Sequence, residues 1–202
     1  MTDTVLTKIH GGVGYITLNR PKALHALNLE MCQAILGALR QWRDDDQVHL
    51  VVVDHAKDTR GFCAGGDIAM LRESGMGDAS EARAFFAEEY RMNAMIKAFP
   101  KPYLAIIDGV TMGGGVGLSV HGSHRIATER TLFAMPETGI GLFPDVGGGW
   151  FLPRLRGELG TWLALTGARL KGADVAAARI ATHYLPSELI PNLKSQISDA
   201  DF

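Results

Sequence analysis

Cysteine is nearly absent. Cys32 and Cys63 are the only two in 202 residues, too few for a disulfide framework, and no Cys/His cluster has zinc-ligand spacing. No apolar run reaches the length needed to cross a bilayer. Neither sign of charge dominates: 20 Lys and Arg stand against 22 Asp and Glu. With no basic patch or stripe, nucleic acid is not an expected partner. The N-terminal MTDTVLTKIH lacks both the apolar centre of a secretory signal and the Arg-rich, acid-poor character of a transit peptide. Together these absences predict a soluble protein in a reducing compartment, expected to be cytoplasmic, with no metal and no membrane partner.

What the chain does have is enough apolar content, 47%, to build a substantial core. Its length suits a single domain over residues 1–202. Its 24 glycines cluster in a few places, pointing to tight turns and close ligand approach. Residues 14–18, 50–54 and 103–108 read as strands. Asn28 is a good N-cap for a helix whose apolar face is Cys32, Ile35, Leu36, Leu39 and Trp42. Arg60 to Asp67 reads as a glycine-rich loop, and a second helix is expected from Ser80 to about Ala98. The chain after Gly149 reads as mainly helical. Strand, glycine loop and helix recurring at crossover lengths define an α/β class.

Chemistry concentrates in one segment. Between Thr131 and Pro153 the only charged residues are Glu137 and Asp145, with no Lys, Arg or His to neutralise them. Carboxylates in so apolar a setting are costly to bury unless something uses them. Glu89 is a third acid of interest, lying on the apolar side of the second helix with Phe85, Phe86 and Met92. Its neighbour Glu88 sits three residues from Arg91 and reads as a solvated pair.

Other motifs fail. In GGGVGLSVHG the third glycine of a dinucleotide fingerprint falls on Leu118, and no phosphate-binding GxxxxGK[ST] exists. Gly117-Leu-Ser119 begins a nucleophile elbow, but its closing position is His121. Cys63 lacks a nearby cation to activate it and reads as a buried small residue.

ITLNRPKALHAL, GFCAGGDI, the triple glycine at 113–115 and LTGARLKGADVAAARIATHYL resemble the crotonase (enoyl-CoA hydratase/isomerase) superfamily over nearly the whole chain. MGGGVGLSVHG, AEEYRMN and FAMPETGIGLFPDVGGGWFLPRL are similar to its 3-hydroxyisobutyryl-CoA hydrolase branch. The resemblance implies a spiral of repeated ββα units followed by C-terminal helices. It implies that the N–H groups of Gly66 and Gly114 form an oxyanion hole for a thioester carbonyl. Glu137 is then the leading base or nucleophile, Asp145 orients water and substrate hydroxyl or shares the proton transfers, and Glu89 contacts the acyl group. Coenzyme A is expected along Lys22, Leu24, Ala64 and Ile68, as part of the substrate, with no separate cofactor. Whether Lys22 meets phosphate stays open, as does any role for His25, and Asp67 is expected to brace its loop. Typical hydratases carry a glutamate at the position matching Gly117, which argues against simple hydration. The resemblance thus implies hydrolysis of a short 3-hydroxyacyl-CoA in valine breakdown. Hydration or isomerisation of a short acyl-CoA, and acyl-CoA binding with little turnover, stand as alternatives. Members of the branch generally continue well beyond the position matching Phe202, so a fragment, a short isoform and a truncated chain stay open as readings. Oligomeric state stays open, a homo-oligomer included.

Overall fold

The computed structural model describes residues 3–57 and 59–200. The chain opens with antiparallel β1 (Val5–His10) and β2 (Val13–Leu18), paired through His10 and Val13. Gly11 and Gly12 alone lie between them, with φ of 55° and 71°, the left-handed pair that a tight hairpin needs. Helix α1 (Leu29–Arg43) follows, capped by Asn28, whose side chain accepts from Met31 N–H at 2.9 Å. Its buried face comprises Met31 and the five residues expected from periodicity.

The remaining elements alternate between two sheets. β3 (Leu50–His55), β5 (Tyr103–Ile107) and β7 (His124–Ala127) join the larger sheet, each followed by a three-residue strand of the smaller one. Those partners are β4 (Gly61–Cys63), β6 (Val110–Met112) and β8 (Leu132–Ala134). Helices α2 (Ile68–Met76) and α3 (Ser80–Lys97) complete the first such turn, and α4 (Gly114–Val120) completes the second. Beyond β8 come α5 (Gly148–Phe151), α6 (Leu159–Thr166), β9 (Leu170–Lys171), α7 (Gly172–Ala177), β10 (His183–Tyr184) and α8 (Ile190–Ser198). The large sheet runs β1-β2-β3-β5-β7-β10 and the small one β4-β6-β8-β9. Pairing is parallel except at β1–β2 and β8–β9. This is the ββα spiral expected from the sequence.

Parallel strands are buried on both faces and read as continuous apolar runs, which is why β3 and β5 were legible. One face of the large sheet joins the main core with α1 and α3. On the other, Tyr15, Val52 and Ile106 pack under Leu193 and Ile197 of α8, and the Tyr15 hydroxyl meets Ser198 Oγ at 2.7 Å. The structure differs from expectation at several places. The segment 60–67 begins as strand β4, α2 and β1 were not anticipated, and two short strands interrupt the helical tail.

Candidate active site

β4 and β6 are parallel neighbours, so the loops leaving them emerge side by side. Gly65 takes φ 110° and Gly113 φ 45°, conformations that side chains rarely tolerate. A Cβ on Gly65 would come within 3.4 Å of Met112 O and 3.7 Å of Gly114 N, which shows how closely the loops approach. The first loop is fixed from outside. Ala64 N–H donates to Leu24 O at 3.0 Å, Leu27 N–H to Gly65 O at 2.7 Å, and Asp67 N–H to Leu27 O at 2.8 Å. Gly114 is the first residue of α4, where an N–H has no intrahelical acceptor.

Gly66 and Gly114 line one cavity of about 280 Å³, and Glu89, Glu137 and Asp145 line it too. The three acids are buried, at 1%, 5% and 8% exposure, and the cavity brings Glu89 of α3 together with the pair from the 131–153 segment. Glu89 descends from α3 onto the second loop, where a Cβ on Gly114 would collide with its Oε1. Glu137 opens a 3-10 turn (Glu137–Ile140), and its Oε1 would lie 3.0 Å from a Cβ on Gly113. Asp145 is oriented by Tyr90, whose hydroxyl donates to Oδ2 at 2.8 Å. Glu89 Oε1 and Glu137 Oε2 have no protein partner among the described residues. Leaving such an atom buried costs about 1–3 kcal/mol.

Electrostatics follow from this crowding. Burial, then the charges of Asp145 and Glu137, push the Glu89 carboxyl up to about 8. Burial, with Asp145 adding to it, pushes Glu137 up to about 7 against a lowering backbone hydrogen bond. Burial also raises Asp145, while the Tyr90 hydrogen bond opposes the shift. At neutral pH the cavity thus holds carboxyl groups close to protonation balance, suited to accepting and returning protons.

Of the other residues anticipated, Ala64 and Ile68 line the cavity. Lys22 does not: it is exposed on a 3-10 turn (Pro21–Ala23), and Leu24 touches the site through the carbonyl that holds Ala64. His25 is fully buried, accepts Arg20 N–H at Nδ1 and faces Thr59 through Nε2. Burial and His55 lower it to about 4, so it is a neutral loop brace. Asp67 caps α2 and pairs with Arg20 at 2.6 Å. Burial pushes the Cys63 thiol up to about 12, and the Ser119 hydroxyl donates to Gly115 O and Val116 O rather than to a histidine. Tyr90 lies within the AEEYRMN motif and follows Glu89 directly, yet the sequence assigned it no role, and only the fold brings it to Asp145.

A ββα spiral with paired glycine loops under a cluster of carboxyls defines the crotonase class. Residues 13–202 match the family model described as enoyl-CoA hydratase/isomerase, and the chain belongs to that family. The mitochondrial 3-hydroxyisobutyryl-CoA hydrolase of Xenopus tropicalis is 56% identical over 96% of this chain and 50% of its own length. That of Homo sapiens is 53% identical over the same shares. A carnitinyl-CoA dehydratase structure from Mycobacterium thermoresistibile superposes with a TM-score of 0.94 at 45% identity, covering 97% of this chain and 57% of that one. The chain spans about half the length of the curated relatives it matches. Their names also correct the cytoplasmic expectation: relatives this similar are called mitochondrial. Local composition of ten N-terminal residues was too thin a basis for that inference.

Proposed function

We propose that this chain carries the catalytic site of an acyl-CoA thioester hydrolase. Its substrate is 3-hydroxyisobutyryl-CoA or a similar short 3-hydroxyacyl-CoA, and its place is valine breakdown. The observation that carries this reading is the convergence of Glu89, Glu137 and Asp145 on a cavity bordered by Gly66 and Gly114. The names of the curated relatives support it.

Glu137 acts as the base. It takes a proton from water as the water oxygen bonds to the thioester carbonyl carbon. Gly66 and Gly114 N–H groups donate to the oxyanion that forms, a contribution of about 3–4 kcal/mol for each donor in comparable sites. Collapse breaks the carbon–sulfur bond, and the proton passes from Glu137 to sulfur, leaving free acid and thiol. A group balanced near pH 7 is suited to both transfers. Asp145, oriented by Tyr90, accepts the substrate hydroxyl. Glu89, predominantly protonated at neutral pH, donates to the acyl group. Coenzyme A runs past Leu24, Ala64 and Ile68, with Lys22 reaching for phosphate from outside the cavity. The steps call on no metal or redox cofactor. Exposed Ile140, Phe143, Trp162 and Leu165 support self-association into a homo-oligomer.

Thiol release from 3-hydroxyisobutyryl-CoA, 3-hydroxypropionyl-CoA and crotonyl-CoA tests the reading, repeated with Glu137→Gln and Asp145→Asn. Hydrolysis of the hydroxyacyl esters is expected, falling about tenfold or more in each variant, a barrier increase of about 1.4 kcal/mol. Hydration of crotonyl-CoA without thiol release would favour the hydratase alternative, which the dehydratase likeness keeps in view. Tight ester binding with neither reaction would leave a binding module.

A further inference from the structure

Asn93 has no part in the chemistry above, yet it is the least satisfied side chain near it. It sits on α3 one turn beyond Glu89, is 6% exposed, and neither Nδ2 nor Oδ1 has a partner among the described residues. A buried amide with two donors and an acceptor needs partners that the protein does not provide here. A Cβ on Gly117 would stand 2.8 Å from Asn93 Oδ1 and 2.8 Å from Val146 Cβ, so the amide lies over α4 beside the residue that follows Asp145.

Behind it is a second cavity of about 290 Å³, bounded by Tyr90, Asn93, Lys97, His121, Val146 and Trp150. Its other polar groups are engaged: His121 Nε2 meets Val146 O at 2.7 Å, and Lys97 Nζ stacks 4.4 Å from the Trp150 ring centre. Tyr90 belongs to this rear cavity while its hydroxyl holds Asp145 of the front one. The Tyr90–Asp145 hydrogen bond thus ties a wall of one space to a wall of the other.

We propose that Asn93 is the positioning residue for the hydrolytic water, and that the rear cavity is the reservoir and route by which water reaches a front cavity filled by the acyl-CoA ester. This rests on the hydrolase reading, since only hydrolysis or hydration consumes water at this site. A water occupies about 30 Å³ in the liquid, so the rear space holds several. Asn93 supplies the donors and acceptor that fix the one nearest the acids.

Two measurements decide it. A crystal structure of the chain is expected to show ordered water within about 3.2 Å of the Asn93 amide. An amide satisfied wholly by protein groups overturns the proposal whether or not the protein hydrolyses thioesters, whereas absent thiol release alone overturns the hydrolase reading. In kinetics, Asn93→Leu should lower kcat about tenfold with KM for the ester unchanged, and Asn93→Ser, which leaves room for a further water, should recover most of that loss. Ala94→Phe, on the exposed rim, should lower kcat several-fold without touching the core. Wild-type kcat in Asn93→Leu, or a rise in KM alone, overturns the assignment. If Asn93→Leu does not fold, wild-type kcat in Ala94→Phe does so.

Discussion

Glu137 and Glu89 bind their protons more tightly in the folded chain than any exposed carboxyl would, and two pH effects follow. The first concerns rate. A base at about 7 is deprotonated only above that value, so kcat for thioester hydrolysis should rise as pH increases through about 7. A rate flat between about pH 6 and pH 8 would remove Glu137 from the role. The second concerns stability. Unfolded carboxyls titrate near about 4.3, so between that value and about 8 the native state holds more protons than the unfolded one. Stability is full at the acid end of this window and falls as pH rises through it. Glu89→Gln should flatten the fall, giving a smaller difference in urea midpoint between about pH 5 and about pH 8.5. At this scale the sequence was informative where charge was scarce. Glu137 and Asp145 stood out because nothing nearby neutralises them, and Glu89 because its turn of helix is apolar. Tyr90 and Asn93 carried no such signal, since an isolated polar residue on a helix is commonplace until the packing partner is known. Lys22 matched its motif, yet it lies exposed on its turn and does not line the cavity.

Elements explain why glycine recurs along α4. Glu89 stands over Gly114 and Asn93 over Gly117, two rungs of one α3–α4 contact. Gly117→Ala would place its Cβ against the Asn93 amide and Val146, and should destabilise by about 1–3 kcal/mol in urea unfolding. A glutamate there would meet the same obstruction, so restoring the hydratase residue alone should not create crotonyl-CoA hydration. Asn28→Ala, by contrast, removes one cap bond from α1 and should cost about 1 kcal/mol with activity retained. Helices α1 and α3 and strands β2, β3 and β5 were legible because each carries a full period of apolar spacing or an unbroken apolar run. The strands of the small sheet have only three residues, too few for a period, and their pairing is decided by the larger strands that precede them. β1 alternates weakly and four of its six residues are exposed, so it gave no strand signal.

For the whole molecule, exposed Ile140, Phe143, Trp150, Trp162 and Leu165 mark one stretch of chain, which overlaps the segment that supplies Glu137 and Asp145. Association through this stretch should appear as a concentration-dependent mass in sedimentation, and Phe143→Ser with Leu165→Ser should reduce it. A monomer at all concentrations would refute self-association through it. Residues 13–202 carry the family match and all three acids, although the chain spans about half of each curated relative.

The two glycine loops leave adjacent strands of a parallel sheet, whose separation is about 4.8 Å wherever such sheets occur. On the proposed reading, the grip on a carbonyl is then set by main-chain pitch rather than by any replaceable group. That reading lets descendants of such a scaffold exchange acids, amides or aliphatic walls and change which bond is broken, while the anchoring of the ester persists unaltered.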